Sequence, residues 1–283
     1  MIAWLIPLLA VWTLSLSAAV ELQPVRTAPT DLEVSGPFPG GRTNGFLTRA
    51  QLLALPQSWS TNAQDLALET PAVYRGVALT DLRTALEVDP ASDILFAVCT
   101  DGYSAPFPAD YLAAFRSLLI LEINGKGPET WGKSHLTGLE MAPYYVNAGE
   151  FKPRPEETVL GHVESVHFPY GVVRLEFRAA SRTLDRLRLR PGASDAARIG
   201  EKLVLRDCLS CHGHEDFGGL RSGRPWLLLK TWSSNTNYFR RYVVNPQSVQ
   251  PSSRMPGFKA YDAATLDALQ AYFRELRTED LRR

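Results

Sequence analysis

Cys208, Cys211 and His212 stand in the run Cys208-Leu209-Ser210-Cys211-His212, which brings two thiols and an imidazole onto one short stretch of chain. Side chains three and four residues apart share one side of a helical turn, so all three groups can meet a single flat ligand. Three chemistries use such a set. The thiols can add across two porphyrin vinyl groups while the imidazole binds the iron, which is covalent haem attachment. They can instead form half of a zinc site, which then needs two further Cys or His ligands, or a thioredoxin-like redox pair inside a βαβ unit. The chain of 283 residues holds three cysteines and five histidines, and the third cysteine, Cys99, lies far upstream. Both rivals are therefore poorly supplied, and haem attachment is the expectation.

Such a motif must be held by helices. From Ser194 the sequence turns helical, with Ser194 or Asp195 as the cap, Ile199, Leu203 and Val204 on one side, and an end near Arg206. A closing helix is expected from an Asp262 N-cap to about Arg277, with Leu266, Leu269, Tyr272, Phe273 and Leu276 as its apolar stripe. Gly200, one turn from Leu203, leaves room for a close crossing. Pro191-Gly192 marks a break before this part. The preceding arginines at 178, 182, 186, 188 and 190 read as solvated charge on a linker, residues 181–193.

Upstream, residues 20–46 are rich in Pro, Gly and Thr and read as an extended lead-in. Thr48 is the expected cap of a short helix from Arg49 to Leu55, and Asp65 to Glu69 alternates like a strand. A strand from Tyr74 leads into a helix capped by Thr80. Ile94 to Cys99 has the continuous apolar character of a buried strand, turned by Asp101-Gly102. Leu118 to Ile123 is a second such strand with Asn124-Gly125 as its turn, and Leu139 to Val146 and Ser165 to Phe177 supply further β segments. The reading is an α+β domain with a mixed sheet over residues 47–180, followed by an all-α domain over 194–283.

The all-α part resembles the class I c-type cytochromes, from about Asp195 to Arg277. The resemblance rests on Cys208-x-x-Cys211-His212, the two flanking helices, and Asn245-Pro246-Gln247-Ser248-Val249-x-Pro251-x-Ser253-Arg254-Met255-Pro256-Gly257-Phe258. It implies one heme c on Cys208 and Cys211, with His212 and Met255 as axial ligands of the iron. It also implies that the Pro225 carbonyl accepts the proximal imidazole N–H, and that Trp226, Leu227, Leu228, Leu229 and Phe258 wall the haem. His214 is too near His212 along the chain to reach the opposite face easily. A His/Met ligand set leaves no open position, so the implied function is transfer of single electrons between a redox donor and acceptor protein.

The α+β part resembles the molybdopterin-binding domain of the sulfite-oxidase-like family, over about Leu47 to Phe177. Leu47-Thr48-x-Ala50-x-Leu52-x-x-Leu55-Pro56, Tyr74-x-Gly76-Val77-x-Leu79-x-x-Leu82 and Asp101-Gly102-Tyr103 carry it. In that family the molybdenum-ligating cysteine precedes the aromatic-x-Gly-Val segment. Here Ala67 to Val73 contains none, so the expectation is the fold without molybdopterin. Two other functions stay open: a molybdopterin-dependent oxidoreductase of a small anion with the cytochrome as internal acceptor, and a haem-based sensor or scaffold. His162, Glu164 and His167 are read as core or surface residues, because their spacing suits neither a helix nor a strand face. Cys99 is read as a buried apolar side chain, and Trp131, Tyr144, Tyr145 and Tyr170 as core packing. His135 has no assigned partner.

Thirty basic residues balance thirty acidic ones, which gives no indication of nucleic acid as a partner. Ile2 to Leu16 is almost wholly apolar and runs into Ser17-Ala18-Ala19, a small-x-small cleavage signal. Residues 1–19 therefore read as a secretory signal peptide, or as a membrane anchor if uncut, since the segment lacks Lys and Arg. Export agrees with haem attachment, which the resembled cytochromes undergo on the exported side of bacterial membranes, and the expected location is periplasmic.

Overall fold

The run Ile94–Cys99 is apolar throughout because it is a strand covered on both faces. In the computed structural model, which describes residues 20–65, 67–148, 158–162, 167–220 and 226–281, Leu95, Ala97 and Cys99 enter one core while Ile94 and Phe96 enter another. Alternate residues of a strand point to opposite faces, so one short strand serves both cores.

The chain order of elements is β1 (Leu32–Ser35), β2 (Asn44–Leu47), α1 (Arg49–Ala54), β3 (Ser58–Asn62), β4 (Ala72–Ala78), α2 (Leu79–Ala85), β5 (Ile94–Cys99) and β6 (Ser104–Pro108). There follow α3 (Ala109–Phe115), β7 (Ser117–Ile123), β8 (Tyr145–Ala148), β9 (Val172–Arg178) and α4 (Ala180–Thr183). The rest is helical: α5 (Asp195–Asp207), α6 (Trp226–Ser233), α7 (Thr236–Val244), α8 (Pro246–Val249) and α9 (Ala263–Glu275). One sheet has the order β2-β1-β9-β5-β6 and is mixed, since β1 runs parallel to β9 while its other pairs are antiparallel. The second sheet, β3-β4-β7-β8, is antiparallel. The α+β expectation for this part holds.

Several local signals act as expected. Thr48 and Gln51 form a reciprocal capping box at α1, with Gln51 N–H donating to Thr48 Oγ1 at 3.2 Å and Thr48 N–H to Gln51 Oε1 at 2.9 Å. Asn124 and Gly125 have φ of 52° and 73°, the paired left-handed geometry of a tight turn.

Other expectations are corrected. Residues 20–46 are no free lead-in: Leu32 and Val34 are fully buried in β1, and Val34 pairs with Leu175 of β9. Asp65–Glu69 is a turn, because the Asp65 carboxylate accepts the Ala67 and Leu68 amides at 2.9 and 3.1 Å and so competes with a ladder. Ala78, the last residue of β4, caps α2 without a side-chain bond, and Thr80 lies inside the first turn. The strand expected from Leu139 begins at Tyr145; Pro143 has no N–H to offer a ladder. The strand expected from Ser165 begins at Val172, with residues 163–166 outside the described ones.

Residues 181–193 are bound rather than a solvated linker. Leu184, Leu187 and Leu189 are buried in the core of the helices. Between them Arg188 pairs with Glu201 and Arg190 with Asp280, each at 2.9 Å, and Arg186 pairs with Glu215. Leucines and arginines interleave, so one side of the segment packs while the other pairs. The N-terminal segment 1–19 lies outside the described residues, among which no helix is long and apolar enough to cross a membrane.

Candidate functional site

Two helices position the Cys-x-x-Cys-His run. Ser194 caps α5, its hydroxyl accepting the Ala197 amide at 3.2 Å. The same residue donates through its amide and hydroxyl to Glu275 at the end of α9, at 2.9 and 2.6 Å, which ties the start of one helix to the end of the other. Those bonds hold the Glu275 carboxyl below its usual range. The helices cross at Gly200, where a Cβ would lie 2.0 Å from the Ala268 carbonyl oxygen and 2.9 Å from Tyr272 Cβ. Trp226 Nε1–H donates to the Tyr272 hydroxyl at 3.0 Å, and that hydroxyl donates to Leu187 O at 2.8 Å, so α6, α9 and segment 181–193 share one buried relay.

Cys208 is the C-cap of α5, and its carbonyl accepts the amides of Cys211 and His212 at 3.1 and 2.9 Å. One turn thus carries both thiols and the imidazole. Leu209 and Ser210 between them are buried, as is His212, while the two cysteines are half-buried and form no disulfide. Burial pushes the Cys208 thiol well above the ordinary thiol range, and the neighbouring Asp207 carboxylate adds to this. Asp207 is held bidentately by Arg206 at 2.7 and 2.8 Å and accepts the Tyr261 hydroxyl. Arg206 also donates to His162 O at 3.1 Å, and His162 Nε2 lies 2.9 Å from Thr265 Oγ1. His162 is therefore a structural residue. His167 packs against Phe107 and Tyr111, and burial lowers its pKa to about 4.

Met255 lies on a separate segment laid over α7 and α8. Its amide donates to Ser253 Oγ at 3.3 Å, and its carbonyl accepts from Gln247 Nε2 at 2.9 Å. Leu227, Leu228, Leu229, Met255 and Phe258 are half-buried, leaving apolar surface for a ligand to cover. Trp226, expected beside them, is fully buried in the helical core. His214 is buried with Nε2 lacking a hydrogen-bond partner, and burial lowers its pKa. Pro225 and Glu164 lie outside the described residues.

The donor set can be tested against each candidate group. Redox-active cysteine pairs lower a thiol pKa at a helix N-terminus; here the pair follows a helix C-terminus and Cys208 is pushed up. Among the described residues no cluster of three or more His, Cys, Asp or Glu side chains is arranged to hold a metal ion. Two thiols and an imidazole on one turn are a donor set that a covalent haem can use. In the α+β part Cys99 is buried within the mixed sheet, and Tyr74, Trp131, Tyr145 and Tyr170 belong to one buried cluster.

Sequence reasoning missed the surroundings of the motif, above all Ser104, whose amide donates to Ser210 O at 3.0 Å. No local pattern links two residues so far apart in the chain.

No protein-family model matches the chain, and no curated protein matches it. Among solved structures, the chain is similar to the sulfane dehydrogenase SoxCD from Paracoccus pantotrophus, at 18% identity and a TM-score of 0.37. That similarity covers 57% of this chain and 40% of the other, so this chain spans well under two thirds of that neighbour's length.

Proposed function

We propose that this chain is an exported electron-transfer protein carrying one haem, joined to Cys208 and Cys211 and ligated by His212 and Met255. The observation that carries the reading is the turn at the end of α5, where the Cys208 carbonyl gathers the Cys211 and His212 amides and both thiols and the imidazole share one turn. When bound, the haem would supply reversible one-electron chemistry at its iron. The chain's own part is to hold and to shield. His212 is buried, Gln247 and Ser253 fix the backbone of Met255, and the half-buried leucines and Phe258 exclude water. A thioether is soft and uncharged and favours the reduced state, and a dry wall raises the potential further. With imidazole and thioether as the two axial donors there is no open position for a substrate, so the function is relay between a donor and an acceptor protein. The resemblance to class I c-type cytochromes and the apolar segment before Ser17-Ala18-Ala19 support export to the periplasm.

The test uses protein matured in a host that attaches haem. The expected result is iron equimolar with the chain, pigment that stays with the polypeptide on acid extraction, and sharp α and β bands on reduction. Met255→Ala should lose the ferric charge-transfer band of thioether ligation and bind carbon monoxide when reduced. Pigment released into organic solvent, or an unaltered ferric spectrum in the variant, would overturn the assignment. Equimolar molybdenum would identify an oxidoreductase instead.

A further inference from the structure

The loop that carries the two thiols is held by the first part of the chain as well as by its own helices. Residues 208–220 form a compact loop. Gly219 N–H donates to Leu209 O at 2.8 Å, and a Cβ on Gly219 would lie 1.9 Å from Ser210 O, so the loop closes backbone against backbone. The β5–β6 hairpin brackets this loop at both ends. Ser104 N–H donates to Ser210 O at 3.0 Å, and Leu220 N–H donates to Gly102 O at 2.8 Å. Phe96 of β5 packs on Phe217, with ring centroids 6.2 Å apart. Arg178 of β9 reaches Asp216 through its side chain at 3.1 Å and its carbonyl at 3.0 Å. Ser104 and Ser210 are both buried, so the bond between them is made away from water.

We infer that the α+β part serves as a clamp on the haem-attachment loop, with Phe96 as the positioning residue that holds Phe217 and, through the closed loop, Cys211 and His212. The inference rests on the haem reading and deepens it. It gives the α+β part a task that requires no cofactor of its own: keeping the Cys208–Leu220 loop rigid and dry where a haem edge would meet it. Solvent access and local polarity tune a haem's potential. A loosened loop admits water, and water favours the more highly charged ferric state. Loss of the clamp therefore lowers the potential.

The experiment compares full-length Phe96→Leu, Phe217→Leu and the double variant with the parent chain, all matured in the same host. Leucine keeps most of the apolar volume and removes the ring contact, so the fold is retained. Hydrogen exchange should show the amides of Ser104, Cys211, His212, Gly219 and Leu220 losing roughly tenfold of their protection in each single variant, with those of α9 unchanged. The double variant should lose little more than either single one, as expected of two residues in one contact. The haem midpoint potential should fall in both single variants, which a purely structural change remote from the haem would not produce. Parent-like exchange at these amides, or a parent-like potential despite faster exchange, would overturn the clamp. Absence of covalent haem would overturn the functional reading separately, since the exchange arm is read on the polypeptide with or without pigment.

Discussion

At the residue scale the chemistry turns on the state of Cys208. Its thiol sits at the C-terminus of α5 beside Asp207, and burial raises its pKa above the ordinary range. A nucleophilic thiolate is then scarce in the folded, haem-free chain. Under the proposed function, attachment would act before the loop closes on the β5–β6 hairpin. The measurable consequence is that iodoacetamide modifies Cys208 at least tenfold more slowly in the native haem-free chain than in urea at the same pH, each unit of pKa being worth a factor of ten in thiolate. Equal rates would mean that the folded loop presents an open thiol. The turn that brings Cys208, Cys211 and His212 together was legible because its groups are contiguous. The surroundings were not. Ser104 and Ser210 meet only because a hairpin and a loop from distant parts of the sequence dock, and neither residue type announces such a partner.

At the element scale the crossing of α5 and α9 sets the frame for the site. Gly200 has no room for a side chain, because the obstructing atoms belong to the α9 backbone. Intrinsic propensity alone would make Gly200→Ala stabilising by about 1 kcal/mol. The clash reverses the sign, and a net loss of about 2–3 kcal/mol is expected, read as a lower urea midpoint with an unchanged slope. A raised midpoint would place the crossing elsewhere. Helix ends were legible here through Ser194 and Asp262, whose side chains accept amides of their own first turns. The strand Ile94–Cys99 was legible because double-sided burial leaves an unbroken apolar run. The place of β1 was not, since its partner β9 lies far downstream and a parallel ladder leaves no turn signal to join the two. Asp65–Glu69 misled for a different reason: its alternation fits a strand, but a carboxylate that caps its own backbone prevails.

At the scale of the whole molecule the two parts are joined through polar and titratable groups as well as apolar ones, and this joint responds to acid. His167 rests against Phe107 and Tyr111 of the α+β part and feels Asp207 and Arg206 of the helical part. Burial outweighs the nearby carboxylate, so the folded chain holds its imidazole neutral down to about pH 4, against 6.5 for a free one. A depressed pKa in the folded state contributes stability that is fully present above pH 6.5 and is lost as pH falls toward 4, because the unfolded chain takes up the proton first. The full difference corresponds to about 3 kcal/mol. Urea titrations of the full-length chain between pH 7 and 4 should therefore show stability falling by this order beyond the carboxylate background. His167→Phe, which keeps a ring against Phe107 and Tyr111 and removes the titration, should flatten that fall. If the variant instead follows the parent's slope across this range, the acid response of the joint belongs to other groups.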